Sequence, residues 1–253
     1  MNILALIPAR MGSSRFPGKP MAPILGKPMI GHVFERVAQS PLLTMTAVAT
    51  CDQEIFDYIE SIGGTAVMTA NTYERASDRC AEALLKLESK NDTRYDIVVM
   101  VQGDEPMTHP EMIAEAVQPM LNNPGIQVVN LLGRINDVAE FEDRNCIKVV
   151  CDLNHNAMYF SREPIPTRCK VDKVPMGKQV CIIPFRRDYL LEYTRLAPTP
   201  LEISESVDMM RVLEYGTKVL MVPTRYASYA VDTPSDLIRV EKLMESEKSV
   251  NRI

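Results

Sequence analysis

The chain has 253 residues, of which 46% are hydrophobic and 24% charged, with a formal net charge of −5. That length buries a sizeable core, as one large α/β domain or a domain with a subdomain, and the mild acidity excludes the basic footprint of a nucleic-acid binder. Anionic substrates must then be met by local basic groups rather than by a global positive field.

The apolar opening at 1–7 runs straight into Pro8 and Arg10, with no basic leader and no cleavage site, and no later stretch reaches membrane-spanning length. A cytoplasmic protein without membrane insertion is the expectation. In chain order, the pattern predicts a strand at 3–8, a helix at 29–38, a strand at 45–50 and a helix at 53–62. A strand at 65–68, a helix at 77–88, a strand at 97–102, a helix at 110–121 and a strand at 127–132 follow. Apolar runs of this kind between amphipathic segments read as parallel strands covered on both faces by crossover helices. The expected fold is a doubly wound, mostly parallel α/β sheet with its ligand site at the carboxyl ends of the strands.

The second half is less regular, with strand-like runs at 147–151, 180–185 and 218–222 and helical patterns at 187–193, 203–215 and 234–244. A polar, proline-containing stretch at 162–178 predicts a protruding arm or lid of the kind that meets a partner subunit. The six cysteines form no Cys-x-x-Cys pair and none is spaced with the three histidines, so no zinc site is expected and the thiols read as scattered and reduced.

Four segments carry chemistry. Ile7-Pro8-Ala9-Arg10-Met11-Gly12-Ser13-Ser14-Arg15-Phe16-Pro17-Gly18-Lys19-Pro20 is a strand followed by a glycine- and serine-containing loop with three cations. Glycine lets backbone N–H groups approach phosphate oxygens, and Arg10, Arg15 and Lys19 can neutralise a triphosphate. It is neither a Walker A loop nor a dinucleotide fingerprint. Next, Val98-Val99-Met100-Val101-Gln102-Gly103-Asp104-Glu105-Pro106 sets a carboxylate at a strand end. Asp104 there suits a hard cation such as magnesium, and it equally suits a turn or an N-cap. In Tyr229-Ala230-Val231-Asp232-Thr233-Pro234, a strand is expected to end at Asp232, which either caps the helix opening at Pro234 or reaches the same metal. In Glu74-Arg75-Ala76-Ser77-Asp78-Arg79, Ser77 or Asp78 is expected to cap a helix, or Ser77 and Arg79 face a nucleotide.

These motifs, in this order, resemble the 3-deoxy-manno-octulosonate (Kdo) cytidylyltransferases, with Lys148-Val149-Val150 and Tyr159-Phe160-Ser161-Arg162 matching two further signatures. The resemblance spans nearly the whole chain. It implies a nucleotide-diphospho-sugar transferase-like fold over 1–253 as one catalytic domain, a protruding dimerisation or lid region, and a homodimer. It also implies CTP and a small acidic substrate as partners and magnesium as cofactor. By the same resemblance, Arg10, Ser13 and Lys19 bind the CTP phosphates, and Ala9, Gly12, Arg15, Ser77, Arg79, Gln102 and Asp104 join them on the nucleotide side. Asp104 and Asp232 would hold the metal and, with Arg10 and Lys19, form the catalytic set. Arg162, Gln179, Glu205 and Asp208 would lie on the acid-substrate side.

The sequence departs from the family on that acid side. A histidine expected in the family is Gln179, a tyrosine is Ile183, a glutamine is Met209 and a glutamate is Asp208; a lesser change, away from the acid side, puts Ala76 for the glycine that opens the Ser77 loop. Apolar groups in place of hydrogen-bonding ones would shift acceptor preference, because polar sites discriminate strongly between substrates. CMP transfer to a different acid, such as a small phosphonate, is therefore the alternative to Kdo. A catalytically silent nucleotide binder is a third reading, opposed by the presence of Arg10, Lys19, Asp104 and Asp232 together.

Overall fold

The computed structural model describes residues 1–13, 15–167 and 176–250. Ser14 and the middle of the expected arm at 162–178, with Cys169, lie outside the described residues. The chain divides into two units, residues 1–113 with 228–253 and residues 114–227.

The first unit opens with β1 (Ile3–Ala9), followed by the hairpin strands β2 (Pro23–Ile24) and β3 (Lys27–Pro28) and helix α1 (Met29–Ala38). It continues with β4 (Met45–Thr50), α2 (Gln53–Ser61), β5 (Thr65–Met68), α3 (Ala76–Asn91) and β6 (Ile97–Val101). These four long strands pair in parallel in the order β5-β4-β1-β6. The chain builds outward from β1 to β4 and β5, then returns to place β6 on the other side of β1. Strand order thus reverses between β1 and β6, and the loops leaving their carboxyl ends flank the crevice where doubly wound sheets bind ligands. β1 and β6 are almost wholly buried, so both of their faces are apolar.

The hairpin turn uses Leu25 (φ 49°) and Gly26 (φ 79°), the two positive-φ positions of a tight two-residue turn. Glu241 accepts the Leu25 N–H at 2.7 Å, and the buried His32 ring donates to the Ile24 carbonyl at 2.8 Å. Ile24, Met29, Val231, Val240 and Met244 form a buried cluster, with Phe16, Leu25, Met107, Tyr229 and Leu237 against it. The hairpin, the loop after β1 and the final helix therefore share one apolar support.

Helix α4 (Pro110–Asn122) leads to β7 (Val128–Arg134), α5 (Val138–Glu142), β8 (Lys148–Cys151), β9 (Ala157–Ser161), β10 (Gly177–Val180) and β11 (Ile182–Arg186). Three short helices follow, α6 (Arg187–Tyr193), α7 (Pro200–Glu205) and α8 (Asp208–Glu214), then β12 (Val219–Pro223) and, back in the first unit, α9 (Pro234–Val250). In the second unit the β7–β10, β10–β8 and β8–β9 pairs are antiparallel, and β12 joins β7 in parallel.

The single strand expected at 180–185 is two, β10 and β11. Val180 faces Leu131 while Phe185 faces Val128, so five steps on one strand oppose three on β7. The buried Asn130 occupies this irregularity, donating to the Val180 and Leu131 carbonyls at 2.7 and 3.0 Å. The helix expected at 203–215 is likewise two, broken at Ser206, whose left-handed conformation (φ 53°) ends α7. Strand β9 was not expected, because its short Ala-Met-Tyr-Phe-Ser run follows an Asp-Leu-Asn-His-Asn turn and lacks a long apolar stretch. No strand forms at 229–232; that segment is irregular and held by specific hydrogen bonds.

Candidate active site

The loop after β1 closes on Met11. The Met11 carbonyl accepts N–H groups from both Ser13 (2.9 Å) and Gly18 (3.0 Å), and the Met11 N–H donates to Asp52 Oδ2 at 2.8 Å. Gly18 turns the chain at φ 75° into a short 3-10 turn, Lys19–Met21. A side chain would be strained there, which gives this glycine its conformational reason. From that turn the Lys19 ammonium sits 2.7 Å from Asp104 Oδ2 and 3.5 Å from Asp232 Oδ1, and Arg15 reaches the same Asp232 oxygen at 3.0 Å.

Asp104 arrives from the end of β6 through Gly103. A Cβ at that glycine would lie 3.3 Å from the Pro8 carbonyl oxygen and 3.0 Å from Ile30 Cδ1, so the chain hugs the end of β1. Asp232 is brought to it by two stitches. The Val231 N–H donates to the Asp104 carbonyl at 2.9 Å, and Ser228 Oγ donates to the buried Glu105 carboxylate at 2.6 Å. Capping of α9 falls to other residues: Asp236 Oδ2 accepts the Thr233 N–H at 2.9 Å, and Thr233 Oγ1 accepts the Asp236 N–H at 3.3 Å. This reciprocal pair is a capping box, and it leaves the Asp232 carboxylate to the cations.

The electrostatics follow from this packing. Burial pushes the Lys19 ammonium down, but the charge and hydrogen bond of Asp104, with Asp232 behind it, hold it above its ordinary value. Burial and the neighbouring Asp104 charge raise the Asp232 carboxyl, and Lys19 and Arg15 pull it only part of the way back. Two carboxylates facing one cation form a donor set that suits a hard divalent ion. Among the described residues no group of three or more His, Cys, Asp or Glu could hold a metal by itself. An ion at this pair would complete its shell with water or phosphate oxygens, as magnesium ordinarily does.

Of the other expected nucleotide residues, Ala9 is buried at the end of β1 and Arg10 is exposed immediately beyond it. Gly12 is exposed with open space where a Cβ would stand, and Ser13 Oγ accepts the Phe16 N–H at 3.3 Å. Gln102 is half-buried just past β6. Ser77 and Asp78 do not occupy the cap position of α3, since the helix begins at Ala76 with Arg75 as its N-cap. Ser77 is fully buried, and the buried Arg79 guanidinium donates to Thr69 Oγ1 at 2.5 Å and to the Ala70 and Tyr73 carbonyls. In this structure Arg79 braces the loop at 69–73.

The expected acid-side residues all belong to the second unit. Glu205 accepts from the Tyr159 hydroxyl, the Ser161 hydroxyl and the Arg162 N–H, while Arg162 spends Nε on the Glu205 carbonyl (2.7 Å) and Nη1 on the Arg144 carbonyl (2.9 Å). Gln179 Nε2 donates to Asn130 Oδ1 at 2.7 Å. Asp208 opens α8, and its carbonyl accepts the Tyr193 hydroxyl at 3.0 Å. Ile183 and Met209 are 2% and 1% exposed. They are core residues here, which removes the ground for reading them as the apolar wall of a rebuilt acid pocket. Lys148, in one of the quoted signatures, is fully buried and donates to the carbonyls of Asp143, Cys146 and Arg162. No periodicity or motif marks that role in advance.

The family model described as cytidylyltransferase matches residues 4–219. The 3-deoxy-manno-octulosonate cytidylyltransferase of Geobacter metallireducens is 42% identical, with 96% of this chain and 98% of that protein covered. The enzyme of the same name from Syntrophus aciditrophicus is 43% identical over 96% of this chain and 97% of its own length. A solved structure of CMP:2-keto-3-deoxy-manno-octonic acid synthetase complexed with CTP superposes with a TM-score of 0.88 at 36% identity, covering 98% of this chain and 100% of that one. The 4-diphosphocytidyl-2C-methyl-D-erythritol synthase of Anaerococcus prevotii, at 13% identity and a TM-score of 0.62, shares the fold.

Proposed function

This chain belongs to the 3-deoxy-manno-octulosonate cytidylyltransferase family, and from that premise we propose that it transfers CMP from CTP to the anomeric hydroxyl of Kdo. The observation that carries the reading is the meeting of Lys19, Asp104 and Asp232 at the reversal point of the sheet, beside a glycine-containing loop. The hydroxyl oxygen of the acid attacks the α-phosphorus of CTP and gives up its proton to solvent, a new P–O bond forms, and the bond to the β-phosphate oxygen breaks to release pyrophosphate. Arg10, Arg15 and Lys19 neutralise the triphosphate, and Lys19 exchanges its carboxylate partners for phosphate oxygens as CTP enters. Asp104 and Asp232, freed of that ammonium, would hold magnesium. When bound there, the ion supplies Lewis-acid polarisation of phosphate oxygens. Positioning and preorganised charge supply most of the rate, and no covalent enzyme intermediate is needed.

The same reading gives Ala9, Gly12, Ser13 and Gln102 to the nucleotide. It assigns Arg162, Gln179, Glu205 and Asp208 to the acid side, where Arg162 must turn from its carbonyl partners to meet a carboxylate. It makes the protein a cytoplasmic homodimer; among the described residues no helix is long and apolar enough to cross a membrane. Pyrophosphate release from CTP by the purified protein, with magnesium and Kdo, tests the function. Release that depends on all three is expected; release with another acid but none with Kdo would remove Kdo as the acceptor. Asp104→Asn is expected to lower turnover about a hundredfold or more, and unchanged turnover would remove the metal assignment.

A further inference from the structure

Asp52 stands at the N-cap of α2 with extended backbone (φ −110°, ψ 123°), yet its side chain makes no cap hydrogen bond. Aspartate at that position ordinarily accepts an N–H from the first turn of its own helix, a contribution of about 1 kcal/mol. Here the carboxylate reaches out of the helix instead and accepts the Met11 N–H at 2.8 Å, with Cys51 Sγ 3.5 Å from the same oxygen. The residue is itself fixed by its own N–H, which donates to Thr50 Oγ1 at 3.1 Å. Met11 is the residue on which the phosphate loop closes, because its carbonyl holds both the Ser13 and Gly18 N–H groups.

A negative charge at the rim of a triphosphate site is unfavourable unless it is used. It is used here on a main-chain amide, and a hydrogen bond to an ionised acceptor is about twice as strong as a neutral one. The Thr50–Asp52 segment leaves the end of β4, next to β1 in the sheet, so the anchor is a rigid one. We propose that Asp52 is a positioning residue for the reaction: it acts through the Met11 amide to hold the Arg10–Lys19 loop in the geometry that receives the CTP phosphates. This inference rests on the cytidylyltransferase reading of the site.

Three substitutions separate loop positioning from helix capping. Asparagine keeps an oxygen at the same reach, serine caps helices as well as aspartate does but falls one carbon short of Met11, and alanine removes both functions. Asp52→Asn should stay within about threefold of the parent. Asp52→Ser and Asp52→Ala should raise KM for CTP about tenfold or more, with KM for the acid changed less than twofold. Amide hydrogen exchange at Met11, measured without any substrate, should accelerate in the serine and alanine variants alone. If Asp52→Ser matches the parent in KM for CTP and in Met11 exchange, Asp52 serves α2 only and the proposal fails. If the parent itself does not turn over CTP, the functional reading fails, and Met11 exchange still decides whether Asp52 holds the loop.

Discussion

Replacing Lys19 by methionine keeps the length of the side chain and removes the ammonium that two carboxylates share. The side chains of Lys19, Asp104 and Asp232 are 14%, 19% and 16% exposed. Removing one partner of a fully buried ion pair costs about 3–5 kcal/mol; residual solvent contact reduces this to about 2 kcal/mol here. For a chain of this size that is a fall in Tm of about 4–8 °C. The loss should depend on pH in a definite sense. Asp232 already titrates above its ordinary value, so the native state takes up its proton before the unfolded state does. Stability linked to it therefore declines as pH rises from the ordinary carboxylate value through the raised one. Without Lys19, a cation that pulls this carboxyl down is gone, and the window widens upward. The variant should melt well below the parent at pH 7.5, and the gap should narrow as pH falls towards 5 and the raised carboxyl takes up its proton. In the parent, the contribution of Lys19 is complete below pH 10.5 and is lost as pH climbs through its raised value. Scanning calorimetry across this range is the assay. A deficit equal at pH 5 and pH 7.5 would show that Asp104 and Asp232 do not share one field, and the site as built would be wrong.

The buried pair Arg211–Glu202, at 2.6 Å and 4% and 0% side-chain exposure, makes a second test. Arg211→Met alone should cost about 3–5 kcal/mol by denaturant titration, whereas combining it with Glu202→Leu should recover most of that loss. The Cys146 thiol is pushed up to about 11 by burial, with the Glu140 charge adding to it. About one molecule in a thousand then carries its thiolate at pH 8. Peptide mapping after iodoacetamide should find Cys146 nearly unmodified in the folded protein at pH 8 and modified in urea; rapid folded-state labelling would contradict the environment described.

The first unit was readable because its signals are local. The strands at 45–50 and 65–68 and the helix at 29–38 fall at the expected bounds, since short buried runs and amphipathic periods leave plain traces in the sequence. The second unit depends on defects that no period encodes: the offset at Cys181 repaired by Asn130, and the left-handed Ser206 that splits a continuous helical pattern. The candidate site divides the same way. The loop cations and Asp104 stand out as residue types at a strand end. The approach of Asp232 to Asp104 rests on the Val231–Asp104 bond between segments more than a hundred residues apart. Asp52 stayed hidden because Thr-Cys-Asp before a helix reads as an ordinary cap.

The discontinuity of the first unit has a consequence for synthesis. Its strands and the loop after β1 are complete by residue 113, but Asp232 and the α9 side of the apolar cluster come from residues 228–253. A ribosome making this chain must translate the whole second unit before the second carboxylate exists, and at ordinary elongation rates that interval is on the order of ten seconds. During it, Lys19 has only Asp104 for a partner, and the apolar faces of Ile24 and Met29 await Val231, Val240 and Met244. Nascent first-unit chains are then the species most in need of chaperone cover, and the charge arrangement of the site is completed only by a segment that follows the second unit.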